Sequence, residues 1–273
     1  MSQASLQQLT VIDLVPFGNP GGQTAFFALR LTSPIWESWQ PGQFVMIRPL
    51  HGGSELLWGR PFAICRVTKS DMVLFFQVRG RGTSALARLV PGDVLNVWGP
   101  LGNAFVMEPQ TPTLLLAGGI GIAPFVGYVQ AHPTPWDITM EFGHRLPLDC
   151  YPVDSINERA LVEAHLEESQ DDRLAFLDKI AQRIQNHAEK GLVLACGPTP
   201  FLREVQRMSL KYNARTQICL ETRMACGVGA CLGCVVKTTG KGSFTDATGT
   251  TSGVNVVQTC TCGPNFWADS VNF

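Results

Sequence analysis

Apolar residues in the first third of the chain come in short runs. LTVIDLV (9–15), TAFFALRL (24–31), QFVMIRP (43–49) and VLFFQV (73–78) are separated by turn signals at Asn19-Pro20-Gly21-Gly22, Pro41-Gly42 and Pro91-Gly92-Asp93. Short strands at this spacing predict a β-sandwich or barrel. One short helix is expected at 84–89, after Gly80-Arg81-Gly82-Thr83.

The pattern changes after Pro112. Residues 113–117 are continuously apolar, as in a strand buried on both faces. Gly118-Gly119-Ile120-Gly121 follows, then an apolar segment at 122–129. A second strand fits 138–142 and a third 192–195. Between them, Leu174, Leu177, Ile180, Ala181, Ile184 and Ala188 repeat at helical spacing. Thr199 opens another helix, with Phe201, Leu202, Val205 and Met208 on one face. Strands alternating with helices predict a parallel α/β sheet. Residues 154–190 hold nine of the 22 acidic residues, and solvated helix faces are expected there. From Glu221 onward the chain is rich in glycine and cysteine and reads as a third, small module.

Composition narrows this picture. A chain of 273 residues is long enough for about two domains of ordinary size. Lysine plus arginine (21) nearly cancel aspartate plus glutamate (22), which leaves no electrostatic footprint for nucleic acid. The N-terminus shows no signal-peptide pattern. The longest apolar stretch, 114–126, contains three glycines and Pro124 and is too short to span a bilayer. A cytoplasmic location without membrane insertion is expected. In a reducing compartment, clustered cysteines hold metal more often than they form disulfides. Six of the nine cysteines lie in the last 55 residues.

Cys226, Cys231, Cys234 and the distal Cys260 follow C-x4-C-x2-C…C, the spacing of plant-type [2Fe–2S] ferredoxins. Gly227, Gly229 and Gly233 let the backbone curl round a cluster and leave amides free to face its sulfurs. Structural zinc is the rival, although an uneven triplet with a distal C-x-C pair fits it poorly. Cys260 and Cys262 compete for the fourth position. Cys219, within an apolar run, reads as a small buried hydrophobe.

Gly118, Gly119 and Gly121 follow a buried strand and open a helix, which suits either a dinucleotide pyrophosphate or close helix-on-strand packing. Cys196-Gly197-Pro198 closes another buried strand, at the end where α/β sheets bind ligands. In the β region, Arg60-Pro61-Phe62-Ala63 offers a phosphate partner and a stacking ring. Gly82-Thr83-Ser84 offers a second pyrophosphate turn. His51, His132, His144, His165 and His187 form no ligand spacing, and Trp36 and Trp39 read as packing.

Taken together, Gly59-Arg-Pro-Phe-Ala-Ile64, Gly80-Arg-Gly-Thr83, Gly99-Pro-Leu-Gly-Asn103, Gly118-Gly-Ile-Gly-Ile-Ala-Pro124, Cys196-Gly-Pro-Thr-Pro200 and Glu221-Thr-Arg-Met-Ala-Cys226 through Cys234 resemble one family. It is the electron-transfer subunits of NAD-linked (class 1B) dihydroorotate dehydrogenase, in the ferredoxin–NADP reductase superfamily. The resemblance implies an antiparallel Greek-key β-barrel binding FAD (1–106), a Rossmann-like parallel-sheet domain binding NAD (107–217) and a C-terminal [2Fe–2S] module (218–273). Arg60, Pro61, Phe62 and Ala63 match the flavin segment, and Phe75, Phe76 and Gln77 the strand beside it. Gly82 and Thr83 match the pyrophosphate turn. Gly118, Gly119, Gly121, Cys196, Gly197 and Pro198 match the nicotinamide site. Cys226, Cys231, Cys234 and Cys260 match the cluster ligands.

The resemblance also implies a partner, an FMN-containing catalytic subunit that oxidises dihydroorotate, in a heterotetramer of two copies of each chain serving pyrimidine biosynthesis. Two alternatives remain: the small subunit of an NADH-dependent ferredoxin–NADP reductase or sulfide dehydrogenase, and a non-redox zinc or interaction module. Four departures stand out. Ala63 replaces a usual serine, and Gln77 a usual arginine, with Arg79 and Arg81 nearby. Cys262 replaces an aspartate. Glu167-Glu168-Ser169-Gln170-Asp171-Asp172 stands where the family has Asp-Gly-Ser.

Overall fold

In a computed structural model, the turn-broken runs of the first hundred residues close on themselves. The structure describes residues 4–18, 26–50, 56–240, 244–245, 251–252 and 255–272. The expected turn at Asn19–Gly22 and His51 lie outside the described residues. Six strands form the barrel: β1 (Ser5–Phe17), β2 (Phe26–Thr32), β3 (Phe44–Pro49), β4 (Arg60–Val67), β5 (Asp71–Gln77) and β6 (Val94–Leu101). Their order is β1-β2-β5-β4-β3-β6, all neighbours are antiparallel, and β6 returns to β1. Leu29, Leu31, Val45, Ile64, Met72, Leu74, Leu95 and Val97 fill the interior. Asp71, on β5, is buried among cations of neighbouring strands, with Arg30 at 3.2 Å and Arg66 at 2.9 Å.

The short helix starts earlier than the apolar pattern implies. Helix α1 (Arg81–Leu86) takes Gly82 and Thr83 into its first turn. The Thr83 hydroxyl accepts hydrogen bonds from the amides of Arg79 (2.8 Å) and Gly80 (3.1 Å), so the glycine segment is the helix start.

The α/β region is one sheet of order β16 (Asn265–Trp267)-β11 (Thr216–Cys219)-β10 (Leu192–Cys196)-β7 (Thr113–Gly118)-β8 (Ile138–His144)-β9 (Leu161–Leu166), parallel except at β16. Helix α2 (Ala123–Ala131) packs between this sheet and the barrel. A Cβ at Gly127 would lie 2.7 Å from the Cys65 carbonyl of β4. Helix α3 (Asp154–Asn157) precedes β9; α4 (Gln170–His187) and α5 (Thr199–Tyr212) share the opposite face.

The charged stretch is therefore not all solvated helix. It contains edge strand β9, and Glu163 of that strand pairs with Lys179 at 2.9 Å. Fully buried Glu141 takes His165 and Arg183, both at 2.6 Å. Burying a carboxylate demands such partners. Two cations opposite two carboxylates make this an ion-pair network, although Glu141, Glu163 and His165 lie within ligand reach of one another.

The C-terminal segment adds β12 (Val235–Thr238), β13 (Phe244–Thr245), β14 (Thr251–Ser252), β15 (Val256–Gln258), α6 (Thr259–Cys262), β16 (Asn265–Trp267) and β17 (Val271–Asn272). Strands β15-β12-β17 form a small sheet, while β16 extends the α/β sheet beyond β11. The position expected to divide domains, 217/218, falls inside β11. No helix among the described residues is long and apolar enough to cross a membrane.

Candidate functional site

Residues 221–233 form no helix or strand and curl into a loop. Gly227 (φ +74°), Gly229 (φ +83°) and Leu232 (φ +56°) take left-handed backbone. The curl aims amides at sulfur. Val228 and Cys231 each donate to Cys226 Sγ at 3.4 Å, and Gly229 donates to Cys260 Sγ at 3.2 Å. The four cysteines fall into two neighbouring pairs. Cys231 lies beside Cys226, and Cys260 beside Cys234. The backbone amides of Cys226 and Gly233 lower the Cys231 thiol to about 7. Burial, reinforced by Cys234, pushes Cys260 up to about 12.

Two thiol pairs in a nest of amides fit a [2Fe–2S] cluster, whose two irons each take two thiolates. Cys262 packs instead against the apolar cluster shared by the α/β sheet and the small C-terminal sheet. None of the nine cysteines is in a disulfide.

The cluster loop is pressed onto the barrel. Phe44, Met46, Leu101 and Trp98 of β3 and β6 form an apolar group with Cys234 and Cys260. Asn103 closes the seam. Its side chain donates to the carbonyls of Cys262 (3.2 Å) and Asn265 (2.7 Å), and its amide to the Gly263 carbonyl (2.6 Å). Asn265 answers through its own side chain, donating to the carbonyls of Gly42 and Asn103. In the sequence Asn103 stands only as the end of the Gly99–Asn103 motif.

Arg60, Pro61, Phe62 and Ala63 are all half-buried, breaking the alternation of a strand with one wet face. The Arg60 guanidinium covers Gly82, where a Cβ would lie 2.6 Å from Nε. That places a cation over the first turn of α1, a cradle suited to a flavin pyrophosphate. Gln77 Oε1 accepts from Arg79 Nε at 2.7 Å, so the arginine beside the turn is anchored by the residue that replaces the family's cation. Phe75 and Phe76 are buried. Phe75 packs with Phe17 and Phe26 beneath α2, and Phe76 lies in the barrel core against Phe62.

At the other wall of the site, β7 runs into a 3-10 turn (Gly119–Ile122) ahead of α2. Gly119 has φ +54° and open space around it, which leaves its backbone accessible to a phosphate. Gly121 has the packing role. A Cβ there would collide with the Cys196 carbonyl. Cys196 and Cys219 are register partners on adjacent parallel strands, and their mutual hydrogen bond, then burial, raises the Cys196 thiol well above its usual range. A cavity of about 610 Å³ opens near the ends of β8 and β9, lined by Arg145, Glu167, Ser169, Arg173 and Glu204 among others. Arg145 and Arg173 received no role from the sequence.

Residues 221–272 match the family described as the iron-sulfur cluster binding domain of dihydroorotate dehydrogenase B. Over 252 residues the chain is 31% identical to the dihydroorotate dehydrogenase B (NAD(+)) electron transfer subunit of Caldanaerobacter subterraneus, covering 89% of this chain and 95% of that one. The equivalent subunit of Listeria innocua is 30% identical over 256 residues, covering 90% and 92%. Among solved structures, the NADH-dependent reduced ferredoxin-NADP oxidoreductase superposes with a TM-score of 0.76 at 22% identity, covering 97% of this chain and 89% of that one. A Plasmodium falciparum ferredoxin-NADP+ reductase gives a TM-score of 0.62 at 13% identity, covering 78% and 95%.

Proposed function

The chain belongs to the electron transfer subunits of dihydroorotate dehydrogenase B, and from this premise we propose that it carries electrons between NAD and a dihydroorotate-oxidising catalytic subunit that binds FMN, as two copies of each chain. The observation that carries the reading is the pairing of Cys226 with Cys231 and of Cys234 with Cys260 inside the amide nest. Bound FAD, NAD and [2Fe–2S] supply the redox chemistry, a hydride on the nicotinamide side and single electrons on the cluster side.

The chain's own residues position these groups. Arg60 and the first turn of α1 hold pyrophosphate, and the half-buried segment Pro61 to Ala63 runs beside the flavin. Gly118, Gly119, Cys196, Gly197 and Pro198 line the nicotinamide end, at the switch point between β7 and β10. The cavity at Arg145 and Glu167 takes the adenosine end, with carboxylate and guanidinium groups for ribose hydroxyls and phosphate. Cys226, Cys231, Cys234 and Cys260 hold the cluster. On this reading the chain divides by task into 1–106, 107–217 and 218–273.

Cys231 is exposed, as are Val228 (53%), Leu232 (64%), Val235 (52%) and Val256 (50%). Apolar surface concentrated round a redox loop supports docking of the catalytic subunit on this face. The test is reconstitution. The isolated chain is expected to oxidise NADH with an artificial acceptor and to leave dihydroorotate untouched. Co-expression with the catalytic subunit is expected to couple dihydroorotate oxidation to NAD+ reduction. Dihydroorotate oxidation by the isolated chain overturns this division of labour.

A further inference from the structure

We propose that Trp98 is the positioning residue that locks the cluster loop to the strand carrying the flavin segment. The proposal rests on the reading of that loop as the [2Fe–2S] site. Trp98 lies on β6, and its ring touches two places that the chain keeps far apart in sequence. The indole Nε1 donates to the carbonyl of Cys226 at 2.9 Å. The six-membered part of the same ring, at Cζ2 and Cη2, covers Gly59, the residue before Arg60, so closely that a Cβ there would collide with it.

The hydrogen bond controls more than one carbonyl. In a trans peptide the C=O and the following N–H point in opposite directions. Holding the Cys226 carbonyl against the barrel therefore turns the Gly227 amide away from it, at the start of the run of amides that face sulfur. Val228 and Cys231 then reach Cys226 Sγ, and Gly229 reaches Cys260 Sγ. The barrel is shaped for this contact. Gly227 sits where a Cβ would lie 2.5 Å from Met46 Cγ and 3.1 Å from Leu101 Cδ1, and its φ of +74° suits glycine. Met46 and Trp98 belong to the same apolar group as Cys234 and Cys260. One side chain thus sets both the orientation of the loop and its distance from Arg60. Electron transfer between groups held by the two segments depends steeply on that distance.

The experiment uses the full chain purified with its catalytic partner. Trp98→Phe keeps the ring and removes the donor; Trp98→His keeps a ring N–H. Met46→Leu changes the same apolar contact and leaves the hydrogen bond. Three quantities are read: iron release to 2,2′-bipyridyl, the electron paramagnetic resonance spectrum of the dithionite-reduced protein, and FAD content. Loss of one neutral hydrogen bond predicts that Trp98→Phe releases iron roughly three- to tenfold faster. Its spectrum shifts, FAD content stays at the parent level, and Trp98→His lies between the two.

Unchanged iron release and spectrum in Trp98→Phe overturn the proposal. So does an equal change in Met46→Leu, which would reduce Trp98 to packing, and so does parallel loss of FAD, which would mark general damage to the barrel. A parent protein with no cluster signal sinks the reading of the loop itself, and is seen before any variant is compared.

Discussion

The barrel and the cluster loop touch each other, yet they are built on opposite principles. The barrel satisfies its backbone through six antiparallel pairings and buries a continuous apolar interior. The loop at 221–233 has no regular element, leaves Cys231, Leu232 and Gly233 exposed, and spends several of its amides on sulfur. Its apolar support is borrowed from Phe44, Met46 and Leu101 of the barrel. The barrel therefore has the ingredients to fold by itself, while the loop needs a template on one side and metal within. Metal-binding free energy becomes folding free energy in such a site.

The largest expected effect comes from the cluster side. Cys234→Ser is expected to abolish the cluster's paramagnetic signal and to lower hydrogen-exchange protection of residues 226–238 and 256–262. The amides of β4 and β5 should remain protected. Equal loss of protection in the barrel would break the contrast. Next is the barrel interior. Leu74 is fully buried, and Leu74→Ala should cost about 2–5 kcal/mol of stability in denaturant unfolding monitored by flavin release. The cluster spectrum below the transition should not move. If it does, the loop depends on the whole barrel and not only on its outer face.

A smaller effect sharpens the role of the barrel as a flavin platform. Arg60→Ala removes the guanidinium over Gly82 and is expected to weaken FAD binding roughly ten- to hundredfold by fluorescence titration, the range for charge-assisted hydrogen bonds. Iron content should be unaffected. Full FAD affinity in the variant would remove Arg60 from the site.

The smallest effect is a pH dependence. Burial works against the Asp71 carboxylate, but the Thr68 hydroxyl, Arg66 and Arg30 outweigh it and hold its pKa below the usual value. A group lowered in the folded state stabilises above its unfolded pKa of about 3.9 and loses that contribution as pH falls through the folded value. The parent should therefore lose more barrel stability than Asp71→Asn on acidification below about pH 4. Parallel acid profiles would show that Asp71 contributes nothing.

Some of this molecule could be read directly from residue order. Short apolar runs between turn residues marked a sandwich or barrel, and continuous apolar runs at 113–117 and 192–195 marked β7 and β10. The edge strand β9 was hidden, because an edge strand beside a helix carries charge and mimics a helix surface. Glu163 looked solvated although Lys179 and Arg183 partner it. The cavity lining at Arg145 and Arg173 was equally silent, since a surface arginine has no pattern of its own.

Spacing alone restricted the cluster to Cys226, Cys231, Cys234 and one of two distal cysteines, because three thiolates on one tight loop need glycines between them. It did not choose between Cys260 and Cys262, two residues apart on the short helix α6. That choice is tertiary. Gly229 and Cys234 meet Cys260, whereas Cys262 packs against a separate apolar cluster. The contacts of Asn103 and Trp98 are also tertiary, spanning at least 128 residues of chain. Local patterns record what a residue does for its own element. Contacts between the barrel and the cluster loop exist only after both have folded, so nothing near Trp98 in sequence announces them.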